Sequence, residues 1–154
     1  MKIIDMKTYK TVLPEITLRY KAGTEFKTKI TSSKDAYELF MKFYDEDIFE
    51  LTESVIVLFL NRNNTTIGWM KHSVGGQTST IIDKRLILIT ALKCGAIGII
   101  LSHNHPSGNL KPSDTDIKIT KELKEGGRLL DISLLDHIII TTDGYFSFAD
   151  EGTL

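Results

Sequence analysis

Residues 97–108 run Ile97-Gly98-Ile99-Ile100-Leu101-Ser102-His103-Asn104-His105-Pro106-Ser107-Gly108, and their order decides how the rest of the chain is arranged. The apolar stretch Ile97 to Ser102 has the length and β-branched content of a buried strand. It hands over to two histidines two positions apart. On the extended tail of a strand, side chains two apart point the same way, so His103 and His105 face one point while Asn104 faces elsewhere. Pro106, Ser107, Gly108 and Asn109 are turn formers, Pro112 suits a helix start, and Ser113 opens a helix-like run. That loop can bring Asp116 back to the histidines. Two imidazoles and one carboxylate hold a metal ion with a coordination position left open, the arrangement of a catalytic site rather than a closed structural one.

Working outward, elements of two periodicities alternate, which is the pattern of an α/β domain. Upstream of the strand, Asp83 is placed to cap a helix running to Cys94, with Leu86, Ile87, Ile89, Thr90 and Leu92 as its buried side and Gly95 as its stop. Val55-Ile56-Val57-Leu58-Phe59-Leu60 is a continuous apolar run that reads as a central strand. After the turn at Asn61-Arg62-Asn63-Asn64, Thr66 to Val74 returns antiparallel, and Gly75-Gly76 breaks it so that Thr78 to Ile82 leaves in a new direction. Thr31-Ser32-Ser33 offers caps for a helix whose apolar residues Ala36, Leu39, Phe40 and Phe43 recur at helical spacing and which ends near Tyr44. Glu15 to Tyr20 reads as an edge strand turning at Lys21-Ala22-Gly23. Downstream, a helix from Ser113 to about Glu125 is stopped by Gly126-Gly127, and Leu134 to Thr141 and Tyr145 to Phe148 form two strands joined at Asp143-Gly144. The expectation is a mixed central sheet flanked by helices. Residues 1–31 form an N-terminal extension packed on a domain spanning 32–154.

Composition narrows the function classes. At 154 residues and 42% hydrophobic the chain can bury a sizeable core, and the length prior favours one domain. With 19 basic and 20 acidic residues the formal charge is -1. Independent nucleic-acid binding normally needs a basic patch or stripe, and the overall balance supplies none. Cys94 alone excludes an internal disulfide and a cysteine-ligated zinc finger. The first 20 residues lack the apolar core of a signal peptide, and no run approaches membrane-spanning length, so a cytoplasmic protein is expected.

Ser102-His103-Asn104-His105-Pro106-Ser107-Gly108, then Pro112-Ser113 and Asp116, resemble the JAMM (JAB/MPN) metalloprotease signature in the form carried by the bacterial RadC family. Glu53 ahead of the apolar strand, Ser73-Val74-Gly75-Gly76, Asp136-His137 and the ending from Tyr145 to Leu154 also look RadC-like, so the likeness runs from about Ser32 to the C-terminus. It implies a three-layer JAB/MPN-like, cytidine-deaminase-like domain. It further implies Zn2+ held by His103, His105 and Asp116, with water in the fourth place and Glu53 as the base. Zinc lowers the pKa of such a water from about 15.7 to about 7. Ser113 is implied as a hydrogen-bond donor to the oxyanion. The implied reaction is hydrolysis of a peptide or isopeptide bond in a peptide or protein substrate. Longer members of that family carry an N-terminal helix-hairpin-helix region, which residues 1–31 are too few and too irregular to supply, so any DNA association is expected to run through partners.

Competing readings attach to the same residues. Two histidines and a carboxylate also describe the facial triad of a mononuclear iron oxygenase, although Glu53 and Ser113 have no purpose there. A non-catalytic metal-containing binding module, associated with DNA repair or mobile elements, is a further alternative. Zinc deaminase chemistry lacks its Pro-Cys-x-x-Cys run. Ser113 to Asp116 is also a passable capping box. Nothing local prefers Glu53 over Glu46 or Glu50. His137 and His72 are expected as hydrogen-bonded strand histidines outside the ligand set, Asn104 and Ser107 as turn stabilisers, and Cys94 as packing.

Overall fold

The computed structural model describes residues 20, 23, 27–75 and 81–154. All but Tyr20 of the expected edge strand at Glu15 to Tyr20, all but Gly23 of its turn, and most of the segment from Gly76 to Ile82 lie outside the described residues. The elements are α1 (Ser33–Phe40), β1 (Ser54–Leu60), β2 (Thr66–Val74), α2 (Lys84–Cys94), β3 (Gly98–Asn104), α3 (Asp114–Arg128), β4 (Ser133–Thr141) and β5 (Gly144–Ser147). They build the expected mixed sheet, in the order β2-β1-β3-β4-β5. β1 runs antiparallel to both β2 and β3, β3 and β4 are parallel, and β5 returns antiparallel on β4.

Every residue of β1 and β3 is buried, because helices cover both faces of the sheet. Alternation along the strands sorts the core into two layers. Val55, Val57, Phe59, Ile99 and Leu101 pack with Ile87 and Ala91 of α2 and Leu123 of α3. Ile56, Leu58, Leu60, Ile100, Ile138 and Ile140 pack with Ala36 and Phe40 of α1 and with Tyr44 and Phe49 beyond it. Ile30 is buried in that second layer, and Lys29 bridges Thr65, so residues just ahead of α1 take part in the core.

Local chemistry explains the helix starts. Ser32 caps α1 in a reciprocal box with Asp35, and the Asp83 carboxylate accepts from the amides of Arg85 and Leu86 at the start of α2. Gly95 ends α2 at φ 68, a left-handed position that glycine takes without a Cβ penalty.

Several details depart from expectation. α1 closes at Phe40, and single turns carry the chain on to Tyr44. Leu86, Ile89 and Leu92, expected on the buried side of α2, are 45%, 49% and 53% exposed, while Ile87 and Ala91 are buried. The helix is apolar on both sides, so its pattern carries no phase. α3 does not stop at Gly126-Gly127 but runs through both to Arg128. A Cβ on Gly127 would lie 2.5 Å from the Ile132 carbonyl oxygen, so that glycine serves a close approach of helix to β4 rather than a helix end. β4 is buried over most of its length.

Candidate metal centre

β3 extends beyond the expected Ser102 to include His103 and Asn104, and His105 continues it by donating its amide to the Ile140 carbonyl at 2.9 Å. His103 shares the face of Leu101, toward α2 and α3, whereas Asn104 points to the α1 side. Asp116 arrives on the first turn of α3. Ser113 is the N-cap: the Asp116 amide donates to its Oγ at 3.2 Å, and Asp116 Oδ2 accepts from the Ser113 amide at 2.8 Å and hydroxyl at 2.7 Å. The capping box therefore also fixes where that carboxylate points.

The three side chains meet. His103 Nε2 lies 2.9 Å from His105 Nε2 and 3.2 Å from Asp116 Oδ1, and His105 Nε2 lies 3.7 Å from Asp116 Oδ2. One ligand atom from each falls within 4.8 Å of the others. The donor set suits a cation. His105 Nδ1 sits 2.6 Å from the Asn109 carbonyl, which only accepts, so Nδ1 carries the proton and the Nε2 lone pair faces the site. Burial pushes the His105 imidazole below its ordinary pKa, favouring the neutral form that binds metal. Burial works to raise the Asp116 pKa, but His103 and the Ser113 hydrogen bonds outweigh it and hold the carboxyl well below the usual carboxylate range. Lone pairs and a carboxylate crowded into one place are relieved by a divalent ion.

The remaining sequence candidates fall around this point. Glu53 immediately precedes β1, and because Val55 pairs with His103 in the antiparallel ladder, the start of β1 lies beside the end of β3. Burial raises the Glu53 pKa above the ordinary glutamate value. Glu46 and Glu50 are exposed in the preceding turns. Ser113 borders the site through Asp116, to which its hydroxyl donates. His72 lies apart on β2 and accepts from the Asp83 amide at 2.8 Å.

Two side chains have more to do than the sequence reading assigned them. His137 is fully buried, with Nε2 2.8 Å from His103 Nδ1 and Nδ1 2.6 Å from Thr120 Oγ1, and its ring stacks on Phe148 at 4.8 Å between centroids. Burial and the charge of His103 hold its pKa well below the ordinary histidine value. It reaches the α3 side because a register shift at Ile99/Ile100 carries β4 past one residue, so that Leu134 pairs with Ile99 but Asp136 with Ile100. Asn104 accepts from the Ser54 amide at 2.7 Å and donates to the carbonyls of Phe49 at 2.6 Å and Thr52 at 2.9 Å. It thus clasps the segment on either side of Glu53. The signals for them were the place of Asp136-His137 among the RadC-like segments and the position of Asn104 between the histidines.

Residues 30–153 match a family model described as a RadC-like JAB domain. The chain belongs to that family. Among curated RadC-type relatives, a UPF0758 protein of Flavobacterium johnsoniae is 50% identical over 125 residues, covering 80% of this chain and 53% of its own length. UPF0758 proteins of Aquifex aeolicus and Chlorobaculum parvum are 36% and 39% identical, covering 92% and 91% of this chain and 59% and 62% of theirs. The chain thus spans a little over half the length of the relatives it matches. The five-stranded mixed sheet between helical layers agrees with the JAB/MPN architecture expected from the RadC likeness. Among the described residues no helix is long and apolar enough to cross a membrane.

Proposed function

We propose that this RadC-type domain is a zinc-dependent hydrolase of peptide or isopeptide bonds. The observation that carries the reading is the convergence of His103 Nε2, His105 Nε2 and the Asp116 carboxylate on one point, with Glu53 entering β1 beside the end of β3. A zinc ion held there supplies Lewis acidity, lowering the pKa of a water in its open position and polarising the scissile carbonyl. Glu53, its pKa raised by partial burial, is suited to take a proton from the attacking water near neutral pH and to return it to the departing amine. Ser113 stands beside Asp116 at the mouth of α3, and its hydroxyl, which would have to turn its one proton from Asp116 to the substrate, is our candidate donor to the developing oxyanion, a contribution worth about 3 to 4 kcal/mol. The Ser113 amide keeps donating to Asp116 when the hydroxyl turns, which favours the ionised carboxylate.

A peptide or protein substrate in the cytoplasm fits this chemistry and the single cysteine, and a part in DNA repair would run through partners rather than direct contact. The test combines elemental analysis of protein purified without added metal with cleavage assays on peptide and isopeptide libraries. We expect stoichiometric zinc, hydrolysis by the wild-type chain, and metal-bound but inactive Glu53→Gln. Stoichiometric iron with oxygen consumption would instead establish the oxygenase, and zinc without cleavage of any library member would favour the non-catalytic binding module.

A further inference from the structure

The metal reading leaves unexplained why a histidine, rather than a carbonyl or carboxylate, backs His103. Those usual partners can only accept, so they fix a ligating imidazole with its proton turned away from the metal. An imidazole can either donate or accept. His137 at His103 Nδ1 is therefore useful to the site only if something fixes its direction.

Thr120 does so. It lies one turn after Asp116 on α3, 2% exposed, and its hydroxyl donates to the Asp116 carbonyl at 2.6 Å. A hydroxyl has one proton, and a carbonyl only accepts. At its second contact, 2.6 Å from His137 Nδ1, Thr120 Oγ1 must then accept, so Nδ1 carries the proton of the neutral ring. His137 Nε2 is left with its lone pair, and the 2.8 Å contact is completed by a proton on His103 Nδ1. That leaves His103 Nε2, 3.2 Å from Asp116 Oδ1 and 2.9 Å from His105 Nε2, as the nitrogen available to give its lone pair to a metal.

We propose that Thr120 and His137 form a one-way hydrogen-bond relay that sets the tautomer of His103 and so commits its Nε2 to the metal. Both are positioning residues. The relay begins on the main chain of Asp116 and ends on a ring 3.2 Å from the Asp116 side chain, so one residue of α3 sets both a ligand and the direction of its neighbour. Phe148, stacked on His137 with 5° between ring planes, keeps that ring from turning out of line. Without the Thr120 hydroxyl the pair could reverse, His137 donating from Nε2 and His103 carrying its proton on the nitrogen that should face the metal. The binding-competent fraction would fall, and apparent affinity with it.

This inference rests on the metal reading, and the test separates the two. Long-range proton–nitrogen spectra of the metal-free full chain report which nitrogen of each ring is protonated, and titration against a chromophoric chelator gives zinc affinity. We expect Nδ1 protons on both His103 and His137 in the wild type. Thr120→Val, close in shape, should weaken zinc binding about 10- to 100-fold and move the His137 proton toward Nε2, whereas Thr120→Ser should restore both. A His103 Nδ1 without a proton in the wild type, or wild-type zinc affinity in Thr120→Val, overturns the relay. A wild-type chain that binds no zinc yet shows both Nδ1 protons overturns the metal reading and supports the relay.

Discussion

Replacing Asn104 by leucine, nearly the same shape, removes one acceptor and two donors from a fully buried position. The Ser54 amide and the carbonyls of Phe49 and Thr52 then lose the partners that hold them at 2.7, 2.6 and 2.9 Å. A buried backbone group left without a partner costs about 1–3 kcal/mol, with the amide at the upper end since a carbonyl retains a second lone pair. Together the three losses amount to about 4 kcal/mol, a large share of the roughly 5–15 kcal/mol that holds a domain folded. For a domain of this size each kcal/mol moves Tm by about 2–4 °C, so urea and thermal unfolding of the metal-free protein should register a loss of about 8–16 °C. Zinc affinity should change by less than about tenfold, because His103 and His105 are held by other partners on the opposite side of β3. Asn104→Asp should fare worse at neutral pH than in mild acid, since it sets a carboxylate oxygen against two carbonyls. A change in stability of about 0.5 kcal/mol or less in Asn104→Leu, the range of an ordinary surface substitution, would refute the claim that this side chain clasps the Glu53 segment.

Zinc at a hundredfold excess over its Kd should raise stability by about 2.7 kcal/mol in the wild type, and His103→Ala, His105→Ala or Asp116→Ala should abolish the response; retained zinc affinity in Asp116→Ala would remove it from the ligand set. Glu53→Gln should keep zinc and lose turnover, and because burial raises the Glu53 pKa, wild-type activity should fall on acidification at a higher pH than an ordinary glutamate would dictate. Burial lowers the pKa of His137 and His105 in the fold, so their protons favour the unfolded chain: metal-free stability should be whole above about pH 6.5 and decline below it, by at most about 1.4 kcal/mol per pH unit for each histidine, which denaturation at pH 7 and pH 5 will read. Alanine in place of a helical glycine usually gains about 1 kcal/mol, but Gly127→Ala should destabilise because its Cβ meets the Ile132 backbone oxygen. Gly126→Ala, which meets only the movable tip of Leu88 at 3.2 Å, should be tolerated; equal behaviour of the two would contradict the close approach.

Elements with sharp chemical punctuation were legible in the sequence. Thr66 to Val74 and the helix between Asp83 and Gly95 have the bounds expected of them, because a turn, a capping carboxylate and a glycine mark their ends. The outer face of α2 was not legible: Leu86 and Ile87 are equally apolar, and only the sheet beneath decides which is buried. Gly126 and Gly127 read as a helix stop because sequence cannot show that β4 returns close enough to exclude a side chain. The convergence of His103, His105 and Asp116 was legible because the three sit within one strand, loop and helix, with local geometry doing most of the placement. His137 was not, since its face depends on the register shift beside Leu134, a property of two paired strands rather than of either alone. Asn104 was read as a turn residue because its partners lie some fifty positions upstream.

The opposed directions of β1 and β3 bear on how far this centre is portable. All three candidate ligands travel within the fragment from 103 to 116, but Thr120 and His137 behind His103 lie outside it, so grafting that fragment onto a foreign scaffold would carry the side chains without the groups that orient His103. The acid at position 53 would stay behind, since it belongs to a neighbour that reaches the same rim from the other direction. A recipient lacking an antiparallel strand alongside the graft would inherit the candidate ligands without the carboxyl proposed as proton acceptor.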